Sequence, residues 1–311
     1  MAASDKGVQL VDRFEDERSR LVALGYRLTG SFADAEDAVQ EAWLRLDGTD
    51  PGQIRDLRAW LTTVVSRLCL DRLRSAAKRR ENYVGQWLPG PLVTAYDAPA
   101  DDPLEALLRD EDSRFAALVV LDTLTPDQRV SFVLHDGFGV PYEEIAGILA
   151  IQPATARQHA SRARKAAATS PSPVSDAEHE AAVGKFMAAM ATGDISAIVA
   201  VLHPDALVMG DANGTTSTAV NVIHGADKFA RFFLGLLRRY GDEALTAMVP
   251  VRVNGQLGMA TYGWQGPTKK QSSPARIAGF TVRDGLVYAS YDIVNPEKFS
   301  GVRLADWPVR P

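Results

Sequence analysis

Three sets of residues in this 311-residue chain have the types and spacing to do chemistry. One is acidic: Asp34, Asp37 and Glu41 fall on a side of a helix-periodic stretch away from its apolar face, a surface suited to a basic partner. A second is basic. From Ser66 to Arg80 six cations (Arg67, Arg72, Arg74, Lys78, Arg79 and Arg80) stand against the single acid Asp71, and Pro153–Ala166 carries Arg157, Arg162, Arg164 and Lys165 with no acid at all. Gln158, His159 and Ser161 add hydrogen-bonding groups to that second stretch, and arginine suits guanine, glutamine adenine and the remaining cations phosphate. The third set is titratable: His203, Asp205, Asp211, His224 and Asp292, any of which could serve as a general base in a pocket. Spacing alone builds no catalytic pair from them. His203-Pro-Asp205 is good turn chemistry, and His224 stands where it could cap a helix.

The elements that position these groups are legible from periodicity. Val8–Leu28 is amphipathic, with Leu10, Phe14, Leu21, Leu24 and Leu28 inward. Ser31 is the expected N-cap of the acidic helix, whose Phe32, Ala35, Val39, Trp43 and Leu46 form one face. The polar loop Asp47–Ile54 leads into a helix from Leu57 that begins apolar and ends basic. Pro103–Leu121 reads as helical, and Thr125-Pro-Asp-Gln128 is a capping box opening the next helix. Pro141–Leu149, the turn Ala150–Gln152 and Pro153–Ala166 make a helix-turn-helix whose second helix presents the basic surface. Beyond a Ser/Pro linker the pattern changes: helices near 178–190, 195–202 and 225–240, then strands at 247–253, 257–264, 276–282 and 286–293, expected as an antiparallel meander.

Between the helical parts, Tyr83-Val-Gly-Gln-Trp-Leu-Pro-Gly-Pro-Leu92 is too apolar for a solvated linker. It must dock, whether on the C-terminal domain, on its own helical domain or on a partner protein.

Asp34-Ala-Glu-Asp-Ala-Val-Gln-Glu-Ala-Trp43, then Ala59-Trp-Leu61 and Asp71-Arg-Leu-Arg74, resembles region 2 of the extracytoplasmic-function sigma factors. The helix-turn-helix resembles their region 4, with Gln158-His159-Ala160 departing from the usual basic step. The C-terminal part, with its His-Pro-Asp segment and closing Asn295-Pro-Glu-Lys-Phe299, is similar to the SnoaL-like extension of one group of these factors. The resemblance implies that Asp34, Asp37, Gln40 and Glu41 bind RNA polymerase core. It gives Asp50, Arg55, Arg67, Asp71 and Arg74 to the −10 element, and Thr155, Arg157, Gln158, His159, Ser161, Arg162, Arg164 and Lys165 to the −35 element. A regulatory role falls to Tyr83, Trp87, Leu88, Asp211, Asn295, Pro296 and Lys298.

The expected fold is an all-α N-terminal half followed by an α+β, cone-shaped SnoaL-like domain. The divisions are a region 2 domain over 1–80, an aromatic linker over 81–107, a region 4 domain over 108–168, a Ser/Pro linker over 169–177 and a regulatory domain over 178–311. The expected partners are polymerase core and promoter DNA, with a pocket open to a small-molecule ligand. The alternative is a SnoaL-type cyclase, isomerase or ligand sensor fused to a DNA-binding regulator. No catalytic group and no cofactor are expected.

Composition agrees with a soluble, cytoplasmic protein. Residues 171–311 hold 13 basic and 13 acidic residues, so the net charge of −5 lies wholly in the first 170, segregated into acidic and basic helices. Cys69, the one cysteine, reads as a small buried hydrophobe. The five histidines show no ligand-like spacing with it, so no metal is expected. No run suits a membrane span, and the first residues lack a signal-peptide layout.

Overall fold

The computed structural model describes residues 2–98, 114–168, 172–216, 218–241, 246–266, 268 and 272–307. The chain divides into two units, the first built on Met1–Arg79 and Ala117–Thr169, the second on Arg80–Pro99, Arg114–Ala116 and Ser170–Pro311.

In the first unit α1 (Ala2–Thr29) and α2 (Phe32–Asp47) pack so closely that a Cβ on Gly25 would meet the Cβ of Ala35 at 2.9 Å. Ser31 caps α2 by accepting the Asp34 N–H, and Phe14 tilts against Trp43 at 5.0 Å between centroids. Leu61, Val65 and Cys69 of α3 (Leu57–Arg80) are buried. Burial pushes the Cys69 thiol up to about 12, so it stays protonated and inert.

Next come α4 (Phe115–Leu121) and α5 (Pro126–Phe132), the latter opened by the Thr125–Gln128 capping box. A π-turn (Val133–Gly137) follows where the sequence suggests a longer α-helix. The helix-turn-helix is α6 (Tyr142–Leu149) and α7 (Pro153–Ala167), joined through Ala150 in the left-handed region at φ 56°. The fully buried Arg129 of α5 ties α5 to α1: its Nε donates to Arg27 O at 3.0 Å, and it pairs with Asp122. The helix expected from Pro103 is described only over α4, residues 99–113 lying outside the described residues.

In the second unit α8 (Asp176–Thr192), α9 (Ile195–Ala200) and α10 (Ala226–Tyr240) cover a curved sheet. Its strands are β1 (Val93–Ala95), β2 (Leu202–Asp211), β3 (Ile223–His224), β4 (Met248–Val253), β5 (Gln256–Thr261), β6 (Arg276–Arg283), β7 (Leu286–Ile293) and β8 (Val302–Arg303), in the order β3-β2-β7-β6-β5-β4-β1-β8 among the described residues. Phe186 stands at the centre of the core, edge-on to Phe229, Phe233 and Phe280.

The expected antiparallel meander is present as β4 to β7, and the sheet extends beyond it to a mixed one, β2 running parallel to β7 and β1 parallel to β8. One expectation is corrected here. His203-Pro-Asp205 lies inside β2, where the register with β7 shifts between Leu202 and Leu207, rather than in a turn before it. The proline lacks the ladder N–H, and the Asp205 N–H turns to His203 Nδ1 at 3.1 Å.

His179 on α8 is buried, with Nε2 at 3.1 Å from Phe280 O. A carbonyl only accepts, so Nε2 carries a proton. Burial pulls its pKa below the ordinary 6.5. A depressed histidine contributes stability that is complete above 6.5 and is lost as pH falls through the lowered value. The unfolding temperature of the second unit is therefore expected to fall on acidification below pH 6.5, and to fall less in His179→Gln, as read by calorimetry of both proteins across that range.

Candidate functional site

The acidic face, the basic helix end and the second helix of the helix-turn-helix all lie in the first unit. On α2, Asp37 and Gln40 are exposed. Asp34 and Glu41 are half-buried, each 3.9 Å from the Arg72 guanidinium of α3, and Arg45 also pairs with Glu41 at 2.6 Å. Arg72 thus partly neutralises the acidic face, leaving Asp37 as its outermost charge.

Of the five residues assigned to −10 DNA, all are exposed, but three already hold protein partners within the unit, Asp50 by accepting the Gly52 N–H at 3.0 Å. Arg67 donates to Gly147 O on α6 at 3.2 Å, and Arg74 pairs with Asp127 on α5 at 3.3 Å. Arg67 and Arg74 are thus held against the region carrying the helix-turn-helix.

On α7 the alanines Ala156, Ala160 and Ala163 are buried, which turns Arg157, Gln158, Ser161, Arg162 and Lys165 outward as one stripe. Thr155 is half-buried at the helix start, and His159 is half-buried with Nδ1 shielded from solvent. Arg164 differs from its neighbours: its Nε donates to Asp136 at 2.7 Å and an Nη to Tyr142 Oη at 2.8 Å, bonds that push its pKa further up. It fastens α7 to the preceding turn, whereas Arg157 lies 5.1 Å over the Tyr142 ring and keeps a solvent-facing edge.

In the second unit the structure gathers residues far apart in sequence around one carboxylate. Asp211, at the end of β2, is fully buried. Tyr83 Oη donates to its Oδ1, the Leu88 N–H donates to Oδ2 at 2.8 Å, and Lys298 Nζ lies 3.9 Å from Oδ2. Asn295 Nδ2 donates to Tyr83 Oη at 2.8 Å. The Trp87 ring carries Lys298 Nζ 3.3 Å from its centroid and the Arg80 guanidinium at 4.6 Å, and packs edge-on to Tyr83. Of the seven residues marked as regulatory, only Pro296 stands outside this cluster, exposed at the start of a 3-10 turn. Burial drives the Asp211 pKa up, opposed by Lys298 and by the donors from Tyr83, Leu88 and Asn295. The Tyr83 hydroxyl is also raised, by burial and by its bond to Asp211, so it remains the donor.

The segment then joins the sheet. Leu92 exchanges two bonds with Asn254, 2.8 and 3.1 Å, and β1 pairs with β4 from Val93↔Val253 to Ala95↔Val251. The linker assigned to 81–107 is therefore in part a strand of the second unit, which selects one of the three docking options the sequence leaves open. Arg114 is held here too, donating to Val174 O at 2.8 Å and to Asp176 at 3.2 Å, and Phe115 packs on Tyr291. Asn254 reads in the sequence only as the start of the Asn254-Gly255 turn, and Arg114 carries no motif, so neither shows there that it holds this segment.

Of the five titratable candidates, Asp205 and His224 are exposed and His203 rests against Tyr288. Only Asp292 lines a cavity, of about 50 Å³, walled by apolar side chains such as Phe186, Phe233, Met259 and Trp264. Its Oδ2 is bound by Arg276 Nη1 at 2.6 Å and by Thr218 Oγ1. Arg276 was missed, although a charge opening an otherwise apolar strand is the signal for it.

Comparison with known proteins agrees with this geometry. Residues 13–79 match the family described as sigma-70 region 2, 114–166 match sigma-70 region 4, and 183–290 match the SnoaL-like domain. The ECF RNA polymerase sigma factor SigJ of Mycobacterium tuberculosis is 53% identical over 97% of this chain and 96% of its own. The probable sigma factor SigI of the same organism is 36% identical over 92% and 93%. The crystal structure of Mycobacterium tuberculosis SigJ superposes with a TM-score of 0.81, at 51% identity, covering 96% of this chain and all of the other. The chain belongs to the extracytoplasmic-function RNA polymerase sigma factors, with a SnoaL-like C-terminal domain. It is a transcription initiation factor rather than an enzyme, and its partners are polymerase core and promoter DNA. No described helix is long and apolar enough to cross a membrane.

Removing the Asp211 carboxylate leaves Lys298 buried without its counter-charge and takes away the acceptor of two hydrogen bonds. In Asp211→Ala the second unit is expected to lose on the order of 3 kcal/mol. Trypsin should then cut after Arg79 and Arg80 at least tenfold faster than in the parent protein; equal cutting rates would remove Asp211 from its place as the anchor.

Proposed function

We propose that this sigma factor is inhibited in cis by its C-terminal domain, which grips both ends of the connector between the region carrying α3 and the region carrying α5 to α7. One observation carries the reading: residues 80–98 and Arg114–Phe115 are both bound to the second unit, the former through Asp211 and β1. Between those two holds lie the 15 residues 99–113. At about 3.3–3.6 Å per residue they reach at most ~50 Å, whereas release of 81–114 gives more than ~110 Å. A −10 and a −35 element are about 25 base pairs apart, roughly 85 Å at ~3.4 Å per base pair. The gripped connector falls short of that separation before the size of the domains is added, and the released one exceeds it.

Within this reading Asp37 and Gln40, with Asp34 and Glu41 beside them, dock on polymerase core. Asp50, Arg55, Arg67, Asp71 and Arg74 engage the −10 strand once Gly147 and Asp127 have moved away. Arg157, Gln158, Ser161, Arg162 and Lys165 read or flank the −35 element, while Thr155, His159 and Arg164 support the helix that carries them. The protein acts in the cytoplasm, where the polymerase is.

The test is in vitro transcription with core polymerase on promoters selected from random −35/−10 pairs, using full-length parent and full-length Asp211→Ala. The variant is expected to initiate several-fold more transcripts at equal concentration. A folded variant that transcribes at the parental level or below would sink inhibition in cis. Truncation after Ala168 is the weaker test, since it strips the sheet from Leu88, Leu92 and Val93.

A further inference from the structure

The cavity of the second unit is chemically unusual in what it leaves unpaired. Arg276 and Asp292 both line it, and both are more than nine-tenths buried. They neutralise each other through Nη1 and Oδ2, yet Arg276 Nη2 and Asp292 Oδ1 are buried with no hydrogen-bond partner among the described residues. The other polar groups that line it are neutral, the hydroxyls of Thr261, Ser273 and Tyr240 and the indole N–H of Trp264, and the remaining wall is apolar or aromatic.

From this we propose that the cavity is a binding site for a small, neutral, largely apolar molecule ending in a group that both donates and accepts a hydrogen bond. A primary amide or an alcohol on a single ring is the chemical class. An anion would face Asp292 and a cation Arg276, each giving up its hydration against a pair with no net charge. A plain hydrocarbon would fill the apolar wall but leave the spare donor and acceptor unsatisfied. Only a group offering an acceptor to Arg276 Nη2 and a proton to Asp292 Oδ1 completes both. The volume of about 50 Å³ holds a few waters as it stands, about a third of the ~150 Å³ that admits benzene elsewhere, so a ring enters only as side chains of the wall move aside. Methionines such as Met190 and Met259 can repack around differently shaped rings. As a signal input, the site rests on the reading of this domain as a regulator in cis; as a binding site, it does not.

The experiment is titration calorimetry, backed by thermal shift, of the unaltered full-length protein. The probes are five single-ring compounds: benzamide, benzyl alcohol, toluene, benzoate and benzylamine. Benzamide or benzyl alcohol should bind at least tenfold more tightly than benzoate and benzylamine, and several-fold more tightly than toluene. Ala278→Leu, which fills the cavity from β6, should weaken the neutral polar probes at least tenfold. Benzoate or benzylamine binding as well as benzamide, toluene binding as well as benzyl alcohol, or no probe binding at millimolar concentration (a cavity for water only) would each overturn the proposal. The series on the unaltered protein decides the matter even if Ala278→Leu does not fold. Tight benzamide binding that leaves transcription unchanged upholds the site and sinks its role as an input. Activation by Asp211→Ala with no probe bound does the reverse.

Discussion

A carboxylate removed from water must be met by donors or it will not stay charged, and the second unit is arranged around one such group. Asp211 receives a phenol and a backbone N–H from one stretch of chain and an ammonium from another. Each alone would be a weak reason for a segment to give up its freedom. Together, in a site from which water is excluded, they reinforce one another and make the position of Tyr83–Leu88 a yes-or-no matter. The carbonyl of Asp211 extends the same logic by accepting from the Val294 and Asn295 N–H groups at 2.9 and 3.1 Å. Side chain and main chain of one residue thus bind the start and the end of this unit.

Much of the molecule was legible in the sequence because its signals are local. The capping box at Thr125 and the Ser31 cap depend only on neighbours within a turn or two, and the structure has them as expected. The α+β layout of the C-terminal domain follows from the change of period after residue 175. What resisted reading is what depends on chain remote in sequence. Strand β1 is three residues long and gains its identity from β4, some 160 residues away. The parallel pairing of β2 with β7 leaves no local trace, since Val208 and Val287 are apolar in either arrangement.

The site residues divide the same way. Arg157 and Arg164 are indistinguishable as letters in a basic helix, yet one keeps a face to solvent and the other is spent on Asp136 and Tyr142. Asp211 and Asp292 occupy adjacent strands near the same end of the sheet, and both were candidates for pocket chemistry. One fastens the connector and the other lies against the cavity with Arg276. Charge, not motif, separates them: Asp211 is matched to an ammonium reaching in from a 3-10 turn, Asp292 to a guanidinium on its own sheet.

The order in which the chain is made gives the Tyr83 cluster a history. Tyr83 and Asn295 are 212 residues apart, and the contact between them cannot exist until both have been synthesised. At roughly 5–20 residues per second the ribosome needs on the order of 10–40 s to cover that distance. In the later part of that interval, once Ala167 has been made, the helices of the first unit are complete while Asn295 and Lys298 have yet to be translated. Each molecule therefore passes once, at birth, through a state that has the first half of the protein without the second unit.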